Sequence, residues 1–469
     1  MSSRLYHLAP PDRTGWFLGL GPAQIVPLAT GLSLAAVVLA RTQSLAWAAL
    51  PFVLGVALGF ARVGDQPLIP SLFGRARWWA AGGQRRFEAP LPISGPDPVL
   101  PAALGACKLL TDPGPEVDGP VVVSDPRAGL IAASIRVSTG SSLLLAEPAE
   151  QDRLLSAFGD ALVPLAHEAD RIVSLRWTSF AAPTATAALP DDLEGPAIDS
   201  YQELLRLIAE TPHHEVLMTL TMTRARSGQD HTLIDEMRRS LDLLVGRMTA
   251  AGFSSVPVDR AMLGTAMRRR LDPAGRGSGG AVFRPTHAHG LPNLAAAGPL
   301  TVVEHWDHLQ IDATRHRAYY VVDWPRTGVP AAWMPDLLLA LPPGRTLCVV
   351  LEPVSIRASR RGIQRQAAKL DSDAEQRERH GFRVGADHDA ARSALAAREV
   401  ELMAGHSEFD FTGVVTLSAA NLADLDAKEA QASSIAGTAG VELAPLHGRH
   451  AAGVGLCLPI PGRLAGRSR

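Results

Sequence analysis

The chain has 469 residues, with 45 Lys+Arg against 47 Asp+Glu and a pI near 6.7; this balance excludes a protein that coats nucleic acid through bulk charge, which needs a concentrated basic surface. Hydrophobic residues make up 46% and charged residues 20%, so the chain can bury real cores, and its length suggests two to four domains. Cys107, Cys348 and Cys457 stand without CxxC spacing, which excludes a disulfide framework and a thiolate zinc site, and most of the chain reads as cytosolic.

No charged side chain stands between Arg13 and Arg41, nor between Arg41 and Arg62. The first apolar run, Trp16 to Ala40, is long enough to cross ~30 Å of hydrocarbon as a helix, and the second, Leu45 to Ala61, just manages it. Only Arg41-Thr42-Gln43-Ser44 separates them, which predicts a transmembrane helical hairpin over 15–62 behind a short tail, 1–14. Gly55 and Gly59, like Gly15 and Gly19, have the small-xxx-small spacing that permits close helix contact. A signal peptide would have a shorter apolar region and leave the second run unexplained; a buried helical core is the other alternative. Arg4 and Arg13 before the hairpin, and Arg62, Arg75, Arg77, Arg85 and Arg86 after it, outnumber the lone Arg41 of the loop, so both termini are expected in the cytoplasm. Trp16, Trp78, Trp79, Arg75 and Arg77 have the composition of a membrane-interface belt, with residues 68–86 lying along the inner surface.

Nine prolines from Pro90 through Pro126 predict an extended connector within 63–126 rather than a packed element. Strand-like runs at Leu130–Val137, Leu143–Ala146, Ile172–Trp177 and Val216–Met222 then alternate with helix-period segments at Gln151–His167 and Leu233–Met248, giving a first α/β lobe over 127–272. A Gly-rich linker over 273–299 leads to a second lobe, 300–461. Strands are expected there at Leu300–Val303, Tyr319–Trp324, Thr346–Leu351, Thr412–Ala419, Val441–Ala444 and Val454–Pro459, and helices at Ala331–Leu341 and Leu422–Gly437. Residues 355–405 read as two long polar helices broken near His380-Gly381, a projecting arm, and 462–469 form a tail. The fold class expected is α+β: a two-helix transmembrane hairpin, then a two-lobed α/β cytosolic region with a long helical hairpin. No internal repeat is visible.

No Walker A loop, GxSxG elbow or HExxH occurs. Gly275, Gly277 and Gly280 match GxGxxG but neither follow a strand nor open a helix, so they read as linker. His287 with His289, and His305, His308 and His316 among Glu304, Asp307 and Asp312, lack the spacing of a known metal motif, and His305 and His308 are expected to diverge at a strand exit. No catalytic, cofactor or metal residue is therefore assigned. Arg357, Arg361, Arg365 and Lys369 form one basic stripe on a helix, either a partner-binding surface for anionic lipid headgroups, an acidic partner face or a nucleic-acid backbone, or solvated surface neutralised by Asp371, Asp373, Glu375 and Glu378.

The N-terminal hairpin, the string RARWW, the segment His308 to Pro325, the segment Arg398 to Ala419 and the RRRLDP of Arg268 to Pro273 together resemble an actinobacterial family of conjugation-type secretion proteins. Its membrane part is PrgI-like, and its soluble part is similar to the non-motor N-terminal region of CagE/TrbE/VirB-type ATPases of type IV secretion. In those ATPases a P-loop motor follows; here the chain ends at Arg469. The resemblance implies a non-enzymatic inner-membrane scaffold that holds a separate motor ATPase beside other channel subunits in a hetero-oligomer, without direct contact to nucleic acid. A type VII-like export component has the same layout, and a membrane-tethered metal-dependent hydrolase using His305, His308 and His316 is the third alternative.

Overall fold

The computed structural model describes residues 5, 6, 8, 22–63, 66–89, 100–110, 119–139, 146–182, 200, 203, 212–224, 230–273, 297–325, 327–379 and 386–462. Trp16, Gly15, Gly19, most of the Gly-rich linker, His287, His289 and the strand expected at 143–146 lie outside them, apart from Ala146 itself.

Two apolar helices come first, α1 (Pro22–Thr42) and α2 (Leu45–Phe60). They lie side by side, backbone against backbone: a Cβ on Gly31 would meet the Pro51 carbonyl at 2.8 Å and Gly55 Cα at 2.9 Å. Gly59 also faces α1, near Gln24. Among the described residues one helix, Gln24–Thr42, is long and apolar enough to cross a membrane, and little of its surface is covered by the rest of the protein. At 16 residues, α2 spans about 24 Å.

A small ladder, β1 (Arg62–Val63) with β2 (Gln66–Pro67), leads to α3 (Leu68–Ala80) and β3 (Arg85–Glu88). There follow β4 (Lys108–Leu110), β5 (Val122–Asp125), β6 (Leu130–Thr139), α4 (Pro148–His167), β7 (Ile172–Ala182), β8 (His213–Thr223), α5 (Asp230–Ala250), β9 (Phe253–Pro257) and α6 (Arg260–Leu271). Next come β10 (Thr301–Glu304), β11 (Leu309–Ile311), β12 (Thr314–Asp323) and a π-helical turn at Asp336–Ala340. The chain closes with β13 (Arg345–Val354), α7 (Ile356–Arg379), α8 (Ala386–Met403), β14 (Glu408–Ala419), α9 (Leu422–Thr438), β15 (Glu442–Pro445) and α10 (His450–Cys457). The class is α+β.

All strands from β3 onward form one antiparallel sheet in the order β3-β10-β11-β12-β14-β13-β7-β8-β6-β5-β4, with β15 added to β12 and β9 to β6. Read outward from its centre, this order is the same twice. β7, β8, β6, β5 and β4, with β9 on β6, match β13, β14, β12, β11 and β10, with β15 on β12. Each set contains a βαββαβ split in which the first strand lies between the third and fourth, the π-helical turn standing where α4 stands in the first set. Each then ends in a helix, α6 or α10. The two copies meet through β7 and β13 over seven residue pairs, Leu175–Leu351 to Ala181–Arg345, centred on Thr178 and Cys348. An antiparallel junction of equivalent strands is a local two-fold axis, so the chain carries an internal duplication that its sequence does not display.

One face of the sheet is covered in the first copy by α4 and α5, which bury Leu162, Leu165, Met237, Leu241 and Leu244 against β6, β7 and β8. In the second, the π-helical turn and α9 bury Leu337, Leu425, Ala432 and Ala436 against β12, β13 and β14. On the opposite face, α6 and α10 share one core with β4, β5, β10 and β11. The helix ends there are met across the two-fold. Asp259 caps α6 by accepting from Met262 N at 2.8 Å, but at its far end the Leu271 carbonyl accepts from His316 Nε2 of β12 at 2.9 Å. The last carbonyls of α10 in turn accept from Arg176 of β7.

Three expectations are corrected. The described parts of the Pro-rich segment, 100–110 and 119–126, supply β4 and β5 to the sheet and bury Leu100, Leu104, Cys107, Val122 and Val123, so these parts are packed. The strand expected at Val454–Pro459 does not form; its first four residues, 454–457, belong to the helix α10, His450–Cys457. Only Asp336–Ala340 of the helix expected at Ala331–Leu341 forms, because Pro335 and Pro342 bracket it.

Candidate functional site

Two surfaces collect the residues singled out by the sequence. The first is the junction of α3 with the sheet. Trp78 is buried, its ring 6.1 Å from that of Trp306 and 5.1 Å below the Arg85 guanidinium. Arg75 lies 6.0 Å over the other indole, Trp306. Gly448 closes the pocket in a left-handed conformation (φ +65°), where a Cβ would stand 3.0 Å from Trp78 and 3.3 Å from Trp306. Trp79 and Phe73 point the other way, 74% and 71% exposed. Thus α3 turns Trp78 into the protein and Trp79 and Phe73 outward.

Trp306 and Asp307 form the tip of the β10–β11 hairpin, closed by His305 N donating to His308 O at 2.9 Å. That turn brings the flanking imidazoles together rather than apart: His305 and His308 stack at 4.1 Å between centroids, correcting the expected divergence. His308 Nδ1 pairs with Asp307 Oδ1 at 3.0 Å. His447 stacks on the Trp306 indole at 5.2 Å, and burial lowers the pKa of both His447 and His305. His450 is fully enclosed, accepting from Ala318 N at 3.1 Å and donating through Nε2 to Trp306 O; burial holds its pKa down to about 3. Glu304, raised by burial, accepts from Ala451 N at the start of α10 and faces Arg85 at 3.5 Å. His316 stands apart from this group, on β12. Its Nε2–H meets Leu271 O, its Nδ1 accepts from Ser418 Oγ at 2.8 Å, and burial lowers its pKa to about 4.

These groups brace helix ends, a turn and an aromatic pocket. Parallel stacked imidazoles aim their nitrogens along their own planes rather than at a common point, and no group of three or more His, Cys, Asp or Glu among the described residues is placed to hold a metal ion. Cys107, Cys348 and Cys457 are buried free thiols, and burial pushes Cys107 up to about 12, far from a reactive thiolate.

The second surface is the arm. Ile363 and Ser359 of α7 and Leu395 of α8 are buried, whereas Arg357, Arg361, Arg365 and Lys369 are all exposed, with Arg360 beside them. Arg361 Nε and Arg365 Nε each donate to the carbonyl four residues back at 3.2 Å, which lays the guanidiniums in a row. A shallow depression between them is lined by Arg361, Gln364, Arg365 and Ala368. Asp371 pairs with Arg392 and Glu375 with Arg379, so these two carboxylates, expected to neutralise the stripe, are engaged elsewhere.

Trp306, His447, Gly448 and His450 were not singled out as a site from the sequence. Their signal is the pair of short aromatic and His-rich strings EHWDH (304–308) and LHGRH (446–450), which meet only because β11 and β15 pair with successive stretches of the same edge of β12. No protein-family model matches the chain, and no curated protein matches it in sequence.

Proposed function

We propose that this protein is a non-enzymatic scaffold subunit of a type IV secretion (conjugation-like) system. In this reading α1 and α2 form a two-pass transmembrane hairpin with both termini in the cytoplasm, and the two lobes, 127–272 and 300–461, present docking surfaces to a separate motor ATPase and to channel subunits. The observation that carries the membrane part is how α1 and α2 dispose their side chains. Glycines face glycines between the helices, while Leu32, Val37, Trp47, Leu50, Phe52 and Phe60 stand exposed. A continuous apolar surface of this kind is unfavourable in water and favourable in lipid.

The mechanism is geometric: a tether raises the effective concentration of a motor beside its channel, and the Trp78–Trp306 pocket fixes the body to the tether. The scaffold reading rests on the segment order and strings that resemble the conjugation family. Its test is purification from native membranes in mild detergent with identification of what accompanies the chain. Recovery with an ATPase and channel subunits supports it; recovery as a lone species overturns it.

A further inference from the structure

The chain passes from α3 into β3 and from β13 into α7. β3 and β13 are five steps apart in an unbroken antiparallel run, so the start of β3 and the end of β13 point to the same end of the sheet; Arg85 lies level with the start of β13, and Val354 stands about 33 Å farther toward that end at ~3.3 Å per residue. The arm therefore springs from the end at which the chain arrives from α1 and α2.

From Ile356 to Lys369, α7 carries Arg357, Arg360, Arg361, Arg365 and Lys369 and no carboxylate. At about 100° per residue, Arg361 and Arg365 stand about 160° from the buried Ile363, and Arg357 and Lys369 about 120°, so the ridge faces away from α8. Between them lie only Gln364 and Ala368, with no large apolar side chain to insert into lipid. Among the described residues, Arg357, Arg360, Arg361 and Arg365 have no carboxylate partner. No acid stands in the first turn, where cations oppose the helix dipole, so helix stability does not account for this placement.

We propose that this ridge docks on the anionic headgroups of the membrane that holds α1 and α2, laying the arm along the lipid surface. The inference rests on the membrane reading above. Guanidiniums pair with phosphate oxygens in a planar fork, and a row without apolar residues adsorbs to headgroups electrostatically rather than by burial.

The test uses the full chain in lipid nanodiscs, either phosphatidylcholine alone or with about one third phosphatidylglycerol. A nitroxide is placed on Gln364→Cys, the native thiols being buried, and its collision rate with a water-soluble paramagnetic reagent is measured. The expected result is a several-fold lower rate in anionic than in neutral discs, restored at ~1 M salt, where screening acts within ~3 Å. The difference should vanish in Arg357→Glu/Arg361→Glu/Arg365→Glu, which still enters the discs. Equal rates in both discs overturn the proposal. So does tighter binding, through the same three arginines, of a short oligonucleotide or a glutamate-rich peptide than of anionic vesicles. Failure of the wild-type chain to enter either disc would instead overturn the membrane reading itself.

Discussion

Arg176 Nη1 lies 2.8 Å from the carbonyl oxygen of Leu456, 280 residues along the chain, and the same guanidinium donates to the carbonyls of Leu458 and Ile460. The side chain is fully buried, and burial lowers its pKa. A charge so placed meets the end of α10, where its own copy of the repeat offers the Leu456 carbonyl only the Cys348 thiol, at 3.5 Å. Arg176→Ala removes the guanidinium from all three carbonyls and opens a cavity, for a loss on the order of 3–5 kcal/mol. Arg176→Lys, with fewer donors, should fall between. Denaturant midpoints in detergent check this; an Ala variant as stable as wild type would show that the cap does not hold the copies together.

The same reciprocity predicts that neither copy folds alone. A fragment ending at Pro273 loses the His316 and Thr314 side chains that meet Leu271 O and Asp272, and exposes β7 along the edge that pairs with β13. The fragment is expected to aggregate or to lack cooperative unfolding, read by circular dichroism and size-exclusion chromatography.

Acid should weaken the fold through two histidines. An unfolded histidine takes up its proton near 6.5, whereas burial holds His316 to about 4 and His450 to about 3. Between those values the unfolded chain binds more protons, so stability is fully present above pH 6.5 and is lost as the pH falls through 6.5 toward 4. Between pH 7.5 and 5 the loss is on the order of a few kcal/mol. Unfolding midpoints at pH 7.5 and 5 measure the slope; His450→Gln should flatten it, and an unchanged slope would exonerate that residue.

Packing of α1 on α2 should depend on Gly31 and Gly55 more than on Gly59. Alanine at Gly31 or Gly55 drives a Cβ to within 2.9 Å of backbone on the other helix, whereas at Gly59 the nearest atom is 3.3 Å away. Overpacking of this kind costs about 1–3 kcal/mol. Energy transfer between dyes at the two helices should fall for Gly31→Ala and change little for Gly59→Ala.

Much of the secondary structure was legible from local pattern. The 3.6-residue period marked α4 and α5, because each buries one face against the sheet, and β6, β7, β8 and β14 stood out as apolar runs because they are buried on both faces over most of their length. What was not legible depends on distant partners. Residues 450–457 form a short apolar run whose period separates strand from helix poorly; they are helical with Glu304 at one end and Arg176 at the other, both more than 140 positions away. Duplication is hidden because equivalent connections differ in kind. The turn of four residues, 305–308, between β10 and β11 stands where residues 111–121 lie between β4 and β5, and the arm occupies 355–407 between β13 and β14. Gly31 escaped notice because its partner, Gly55, is on another helix rather than four residues away.

The membrane assignment is the claim on which the rest depends, and labelling in intact cells tests it most directly. Gln43→Cys, in the turn between α1 and α2, should react with a membrane-impermeant thiol reagent added outside, while cysteines at either terminus should react only after lysis, and the chain should stay in the pellet after alkaline carbonate. Release of the chain by carbonate, or labelling of a terminus from outside, would contradict the account.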